Sequence, residues 1–136
     1  CAPVEPGSDV PAGNMCVIEE MPIKSLVTYP ASGSKFEFGK KVQIRGNAWS
    51  GLGDVKEVFV SSDFGATWIK AKLNKAQNKY AWQRFSAELS FDKKGYYEVW
   101  ARAVDKKGVS QPMVIPGWNP KGYLNNATHR IALKIV

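Results

Sequence analysis

Residues 41–49, KVQIRGNAW, set Val42, Ile44, Gly46 and Ala48 against Lys41, Gln43, Arg45 and Asn47. Alternation with period two, small or apolar on one side and polar on the other, reads as a strand with one buried face. The same reading extends outward in both directions. After the Gly-rich turn SGLGD come VKEVFVSS (55–62), ATWIKAKL (66–73) and KYAWQRFSAEL (79–89). GYYEVWARAV (95–104) follows, with Tyr97, Val99, Ala101 and Ala103 on one side, and the chain closes on THRIALKIV (128–136), where His129, Ile131, Leu133 and Ile135 share a face. About seven short strands, evenly spaced and without an amphipathic helix, predict an all-β protein, an antiparallel β-sandwich.

Residues 1–22 read differently. APVEPGSDVPAG offers Pro and Gly with no apolar period, so 1–22 is expected to be an extended leader or linker and 23–136 the folded domain. The chain opens on Cys1 rather than Met and lacks the basic head and apolar stretch of a signal peptide, so a processed or excised piece of a longer protein is expected. Cys1 and Cys16 could pair in an oxidising compartment or stand as two free thiols. With one histidine and no C-x-x-C spacing, a zinc site is not expected.

A length of 136 residues suits one domain with its own core, and 44% hydrophobic with 23% charged residues excludes a disordered chain. No apolar run approaches bilayer length, so no membrane span is expected. The formal net charge of +7 would attract an acidic partner, but the Lys and Arg residues are scattered rather than gathered into a stripe. No nucleic-acid partner is expected; solvated strand ends and turns account for the charge, and a basic surface would also serve a small anionic substrate.

SSDFGATW matches S-x-D-x-G-x-T-W from Ser61 to Trp68. Asp63 can accept hydrogen bonds from turn amides, Gly65 can take positive φ, and Trp68 can fold back over the hairpin. Such a turn resembles the Asp box of sialidases, but one copy does not make a propeller, and Asp63 reads as a structural turn residue rather than a catalytic acid. No G-x-S-x-G, phosphate loop or H-E-x-x-H is present, so no catalytic residue is assigned. His129 reads as a partly buried, hydrogen-bonded structural histidine. Asn126–Thr128 fits the N-glycosylation pattern, too short a signal to carry weight alone.

Three tryptophans are candidates for a contact surface. Trp49 ends a strand beside a flexible Gly-rich turn, and Trp100 shares the outward face of its strand with Glu98 and Arg102. Trp118 is set in a turn-like loop, GWNPKGY (117–123), where an indole needs a neighbour. Trp49 and Trp118 could instead close the domain's own core, and Trp100 could pack beneath one of its loops.

Four segments read together, MPIKSLVTYP (21–30), 44–73, VWARAVDKKGVSQP (99–112) and WNPKGYLNNATHRIALKIV (118–136), resemble the C-terminal domain of the sulfite oxidase and plant nitrate reductase family, the Mo-cofactor oxidoreductase dimerisation domain. The resemblance runs from about residue 21 to the end. It implies an immunoglobulin-like β-sandwich that pairs with its copy in a homodimer. It also implies packing against a separate domain that holds molybdopterin and supplies a Cys thiolate to molybdenum. This chain itself would bind no cofactor, and Cys1 and Cys16, in the leader, are not that thiolate. Animal members carry an Arg in a WN-x-R-G loop that reaches the anion pocket of the cofactor domain; the matching residue here is Lys121. Arg offers a planar fork to two oxygens and Lys a single ammonium, so bidentate recognition is lost at this position. The resemblance implies an extracytoplasmic, periplasmic location by family habit. The alternative reading is a free-standing extracellular immunoglobulin-like module for glycans or acidic polymers.

Overall fold

The computed structural model describes residues 2–136. Nine strands follow one short 3-10 turn at Ala12–Asn14. They are β1 (Lys24–Tyr29), β2 (Ser34–Phe36), β3 (Val42–Trp49), β4 (Val55–Ser61), β5 (Ile69–Lys70), β6 (Lys72–Leu73), β7 (Gln83–Leu89), β8 (Gly95–Asp105) and β9 (His129–Ile135). They form a four-stranded sheet, β1-β3-β7-β6, and a five-stranded sheet, β2-β9-β8-β4-β5. Every pairing is antiparallel except β2 with β9, which is parallel. The result is the immunoglobulin-like sandwich expected, with one short parallel edge that period-two patterning cannot distinguish from an antiparallel one.

The alternation in 42–49 is realised as written. Val42, Ile44, Gly46 and Ala48 are buried and Lys41, Gln43 and Arg45 exposed. Val42, Ile44 and Ala48 join Val58, Val99, Ala101, Ile131 and Leu133 of the opposite sheet in one core. Each fully buried Val, Ile or Leu contributes about 1.5–3 kcal/mol. Gly46 sits where a side chain would not fit: a Cβ there would lie 2.2 Å from both the Leu26 carbonyl oxygen and the Phe85 ring. The ring of Phe85, opposite Gly46 in the β3–β7 register, takes the space.

Two sequence-based strands change on folding. Residues 66–73 do not make one strand: the chain crosses between sheets at buried Ala71, whose N–H donates to the Val58 carbonyl at 2.8 Å. Residues 79–82 precede β7 as loop, with Tyr80 at φ 65°.

Two buried glutamines tie the sheets together at places where strand pairing cannot. Gln83 of β7 accepts from the Val55 N–H at 2.8 Å and donates to the Asn74 carbonyl at 2.9 Å. Gln111, 2% exposed, accepts through Oε1 from the Ser25 hydroxyl of β1 at 2.6 Å and from the Ala103 N–H of β8 at 2.9 Å. Its Nε2 donates to the carbonyls of Asn126 (2.9 Å) and Ala127 (3.3 Å). Gln111 thereby fixes both ends of the long β8–β9 connection, which carries the candidate site. Cys16 is disulfide-bonded; Cys1, with which it could pair, lies outside the described residues.

Candidate functional site

The β8–β9 connection leaves the sandwich at Gln111 and returns at Thr128, whose N–H and hydroxyl both donate to the Pro112 carbonyl, at 2.8 and 3.1 Å. A third tie is Arg130, whose Nη2 donates to the Met113 carbonyl at 3.0 Å. Beyond these anchors the backbone bends sharply, with Gly117, Gly122 and Leu124 all at positive φ (80°, 68° and 60°). Gly suits such bends because it lacks a Cβ.

Asn119 organises the tip. Its side-chain oxygen accepts from the Lys121 N–H at 3.2 Å, its amide donates to the Tyr123 carbonyl at 2.7 Å, and its own carbonyl accepts from the Gly122 N–H at 3.1 Å. Asparagine is suited to this because its side chain imitates a backbone turn. The consequence is that Lys121 stands exposed on a defined turn, outside every ion pair formed among the described residues. The sequence signal for Asn119 is N-P-x-G, an ordinary turn pattern that does not by itself single out the asparagine side chain.

Trp118 faces the leader rather than the core. A groove of about 630 Å³ runs between them, lined by Val4, Val10, Met15 and Ile18 on one side and Trp118 and Leu124 on the other. Lys121 also borders it. The leader is held against the sandwich farther on, where Gly51 donates its N–H to the Met21 carbonyl at 2.8 Å. A Cβ on Gly51 would come within 2.5 Å of the Met21 nitrogen, so a larger residue there would displace the leader. Trp49 is half-buried beside this crossing, opposite Lys24.

Trp100 is 5% exposed. It points outward from β8, as alternation requires, yet the 61–68 turn folds over it. The Phe64 ring meets it edge-on at 6.2 Å, Arg130 stacks at 4.0 Å, and the indole N–H donates to Glu98 at 2.8 Å. The chain therefore covers this indole itself and leaves little of it for a partner. The most exposed tryptophan is instead Trp82, in the loop before β7.

The covering turn is closed by side chains. Ser61 Oγ donates to Asp63 Oδ1 at 2.7 Å and accepts from the Gly65 N–H at 2.9 Å. The Thr67 hydroxyl donates to Asp63 Oδ2 and the Thr67 N–H to Oδ1. These bonds, from Thr67 first and then Ser61, hold the Asp63 carboxyl down at about 2. Gly65 has φ 83°, and Trp68 carries Arg102 over its ring at 4.2 Å.

His129 is half-buried at the start of β9, where its Nδ1 accepts from the Val27 N–H of β1 at 3.0 Å. Burial, and secondarily the nearby charge of Lys24, push its pKa below the usual histidine value. A neutral imidazole bridging the two sheets is a structural part. Among the described residues no group of three or more His, Cys, Asp or Glu is placed to hold a metal ion, and Cys16 is consumed in a disulfide rather than offered as thiolate. These residues do not form a molybdenum site.

Among the described residues, no helix is long and apolar enough to cross a membrane. Comparison with known proteins gives a consistent answer. The family described as the Mo-co oxidoreductase dimerisation domain matches residues 15–136. Mitochondrial sulfite oxidase of Mus musculus is 36% identical over 126 residues, 88% of this chain but 23% of that protein. The human enzyme is 37% identical over 121 residues, 84% of this chain and 22% of that protein. The chain thus spans less than a quarter of these relatives. The sulfane dehydrogenase SoxCD from Paracoccus pantotrophus superposes with a TM-score of 0.71 at 32% identity, covering 84% of this chain and 30% of that one. A free-standing recognition module is disfavoured by these matches. Sandwich topology, anchored loop and matched sequence agree, and the chain belongs to the Mo-co oxidoreductase dimerisation domain family, the sandwich of sulfite oxidase-type enzymes.

Proposed function

We propose that this sandwich works within a molybdenum-dependent, sulfite-oxidising oxidoreductase, where it pairs with its copy to form a homodimer and packs against a molybdopterin-bearing domain. The observation that carries this reading is the family match over residues 15–136, joined to the small share of each relative that the chain covers. Molybdenum chemistry would be supplied by the other domain. The contribution of this chain is a cation: Lys121, on the turn built by Asn119, attracts an anionic substrate through one ammonium. Residence outside the cytoplasm, in a periplasm or similar compartment, is supported by the disulfide at Cys16, since such bonds persist where conditions are oxidising.

The test is Lys121→Ala in the enzyme assembled with its cofactor domain. KM for sulfite should rise about tenfold, the scale of one charged hydrogen bond, with the thermal transition unmoved. Lys121→Arg should lower KM by restoring the fork. An unchanged KM in both variants returns the loop to a plain turn, and sedimentation equilibrium showing only monomer at high micromolar concentration removes the dimer.

The likeness to a sulfane dehydrogenase favours a second reading, in which the sulfur substrate is a sulfane group rather than sulfite. Turnover of each substrate by the same assembled enzyme separates the two.

A further inference from the structure

We infer that the outer face of the four-stranded sheet carries an oxyanion-binding cleft between Arg45 and Arg84, apart from the loop that bears Lys121. Three local features build it. The β1–β3 register shifts between Val27 and Tyr29, and this bulge sets Tyr29 opposite Arg45, whose guanidinium lies 4.3 Å from the ring centroid. Bulges commonly re-aim a side chain in this way. Next, β3 pairs with β7 so that Arg45 faces Ser86 and Asn47 faces Arg84, which makes the two arginines diagonal neighbours on one face. Finally, Asn74 is pinned at the rim: its N–H donates to the Arg84 carbonyl at 2.9 Å and its carbonyl accepts from the buried Gln83 amide.

Together with Thr28, Asn47 and Ser86 these residues line a cleft of about 520 Å³. Its chemistry is one-sided. Among the described residues the four ion pairs all use lysines, so neither guanidinium meets a carboxylate. The nearby acid on β7, Glu88, is already engaged by Lys41 and Gln43. Guanidinium forks and side-chain amides are donors matched to the paired oxygens of a sulfate or a carboxylate. Lys72, opposite Ser86, adds positive charge at the sheet edge. A second copy of the chain docking face to face here would set arginine against arginine. An acidic ligand is the occupant that this charge pattern fits, either a free inorganic oxyanion or the carboxylates of a partner's acidic segment.

The test uses amide NMR of the full chain at low ionic strength, titrated with sodium sulfate, with a blocked tri-glutamate peptide, and with sodium chloride at matched ionic strength. Saturable shifts at Asn47, Arg84 and Ser86 are expected with sulfate or the peptide and not with chloride. Tighter binding of sulfate identifies a free oxyanion as the ligand, and tighter binding of the peptide identifies a partner's carboxylates. Arg45→Gln and Arg84→Gln should each weaken binding about tenfold. Lys134→Gln, an equal loss of charge on the other sheet, should leave it within twofold. Both arginines are exposed, so the folded spectrum should persist in each variant. Absence of saturation with either probe, or equal weakening by Arg84→Gln and Lys134→Gln, overturns the site.

Discussion

Replacing Gln111 tests whether one side chain joins the sheets and anchors the β8–β9 loop that bears Lys121. In Gln111→Ala the Ser25 hydroxyl and the Ala103 N–H lose their shared acceptor in a buried site. Each stranded buried group costs about 1–3 kcal/mol. The carbonyls of Asn126 and Ala127 belong to half-buried residues that water can reach, so they add little. The expected loss is about 3–5 kcal/mol, a fall in Tm of roughly 10–20 °C for a domain of this size. Gln111→Leu fills the space but satisfies neither group, and it should still lose at least about 2 kcal/mol. Urea unfolding followed by tryptophan fluorescence supplies both numbers, with an unchanged m-value confirming a comparable transition. A Leu variant within about 0.5 kcal/mol of the native chain would refute the reasoning, since burial alone would then explain the site.

Gly46→Ala should destabilise by about 3 kcal/mol, because the added Cβ meets a backbone carbonyl as well as the Phe85 ring. Shrinking the ring in Gly46→Ala/Phe85→Leu should not restore stability, and full recovery in urea melts would show that only the ring was in the way. His129 is the chain's sole histidine, and its folded pKa lies below the unfolded one, so the unfolded state binds the proton first as pH falls. Stability is then complete above the ordinary histidine value near 6.5 and declines as pH drops below it. Equilibrium melts between pH 7.5 and 5 should lose this slope in His129→Gln; a slope that persists assigns it elsewhere. Asp63 has the same sign. Its stabilisation is present above the usual value of 3.8 and is lost as pH falls toward about 2. Asp63→Ala should open the turn over Trp100 and raise the fraction of tryptophan fluorescence quenched by acrylamide; native-like quenching would mean that the turn holds without its carboxylate.

Much of the fold was legible because strand faces are written locally. The alternation in 42–49, 95–104 and 128–136 states which side chains go inward, whatever the strands pair with. The S-x-D-x-G-x-T-W turn was legible for the same reason, since its hydrogen bonds span at most four residues. Lys121 was identified by resemblance; the turn that displays it belongs to Asn119, two residues earlier.

Tertiary structure alone decided the rest, through contacts between residues distant in sequence. Gln111 reads as an unremarkable loop glutamine until Ser25, 86 residues away, is brought to its oxygen. Trp100 was correctly placed on the outward face, but whether that face meets solvent depended on where the Phe64 turn would fold. The Arg45–Arg84 cleft required the β3–β7 register and the bulge in β1, neither of which a period of two encodes. Sequence fixes the direction in which each side chain points, because backbone geometry is local; what it meets there follows from how the sheets close, because those contacts exist only once the chain has folded.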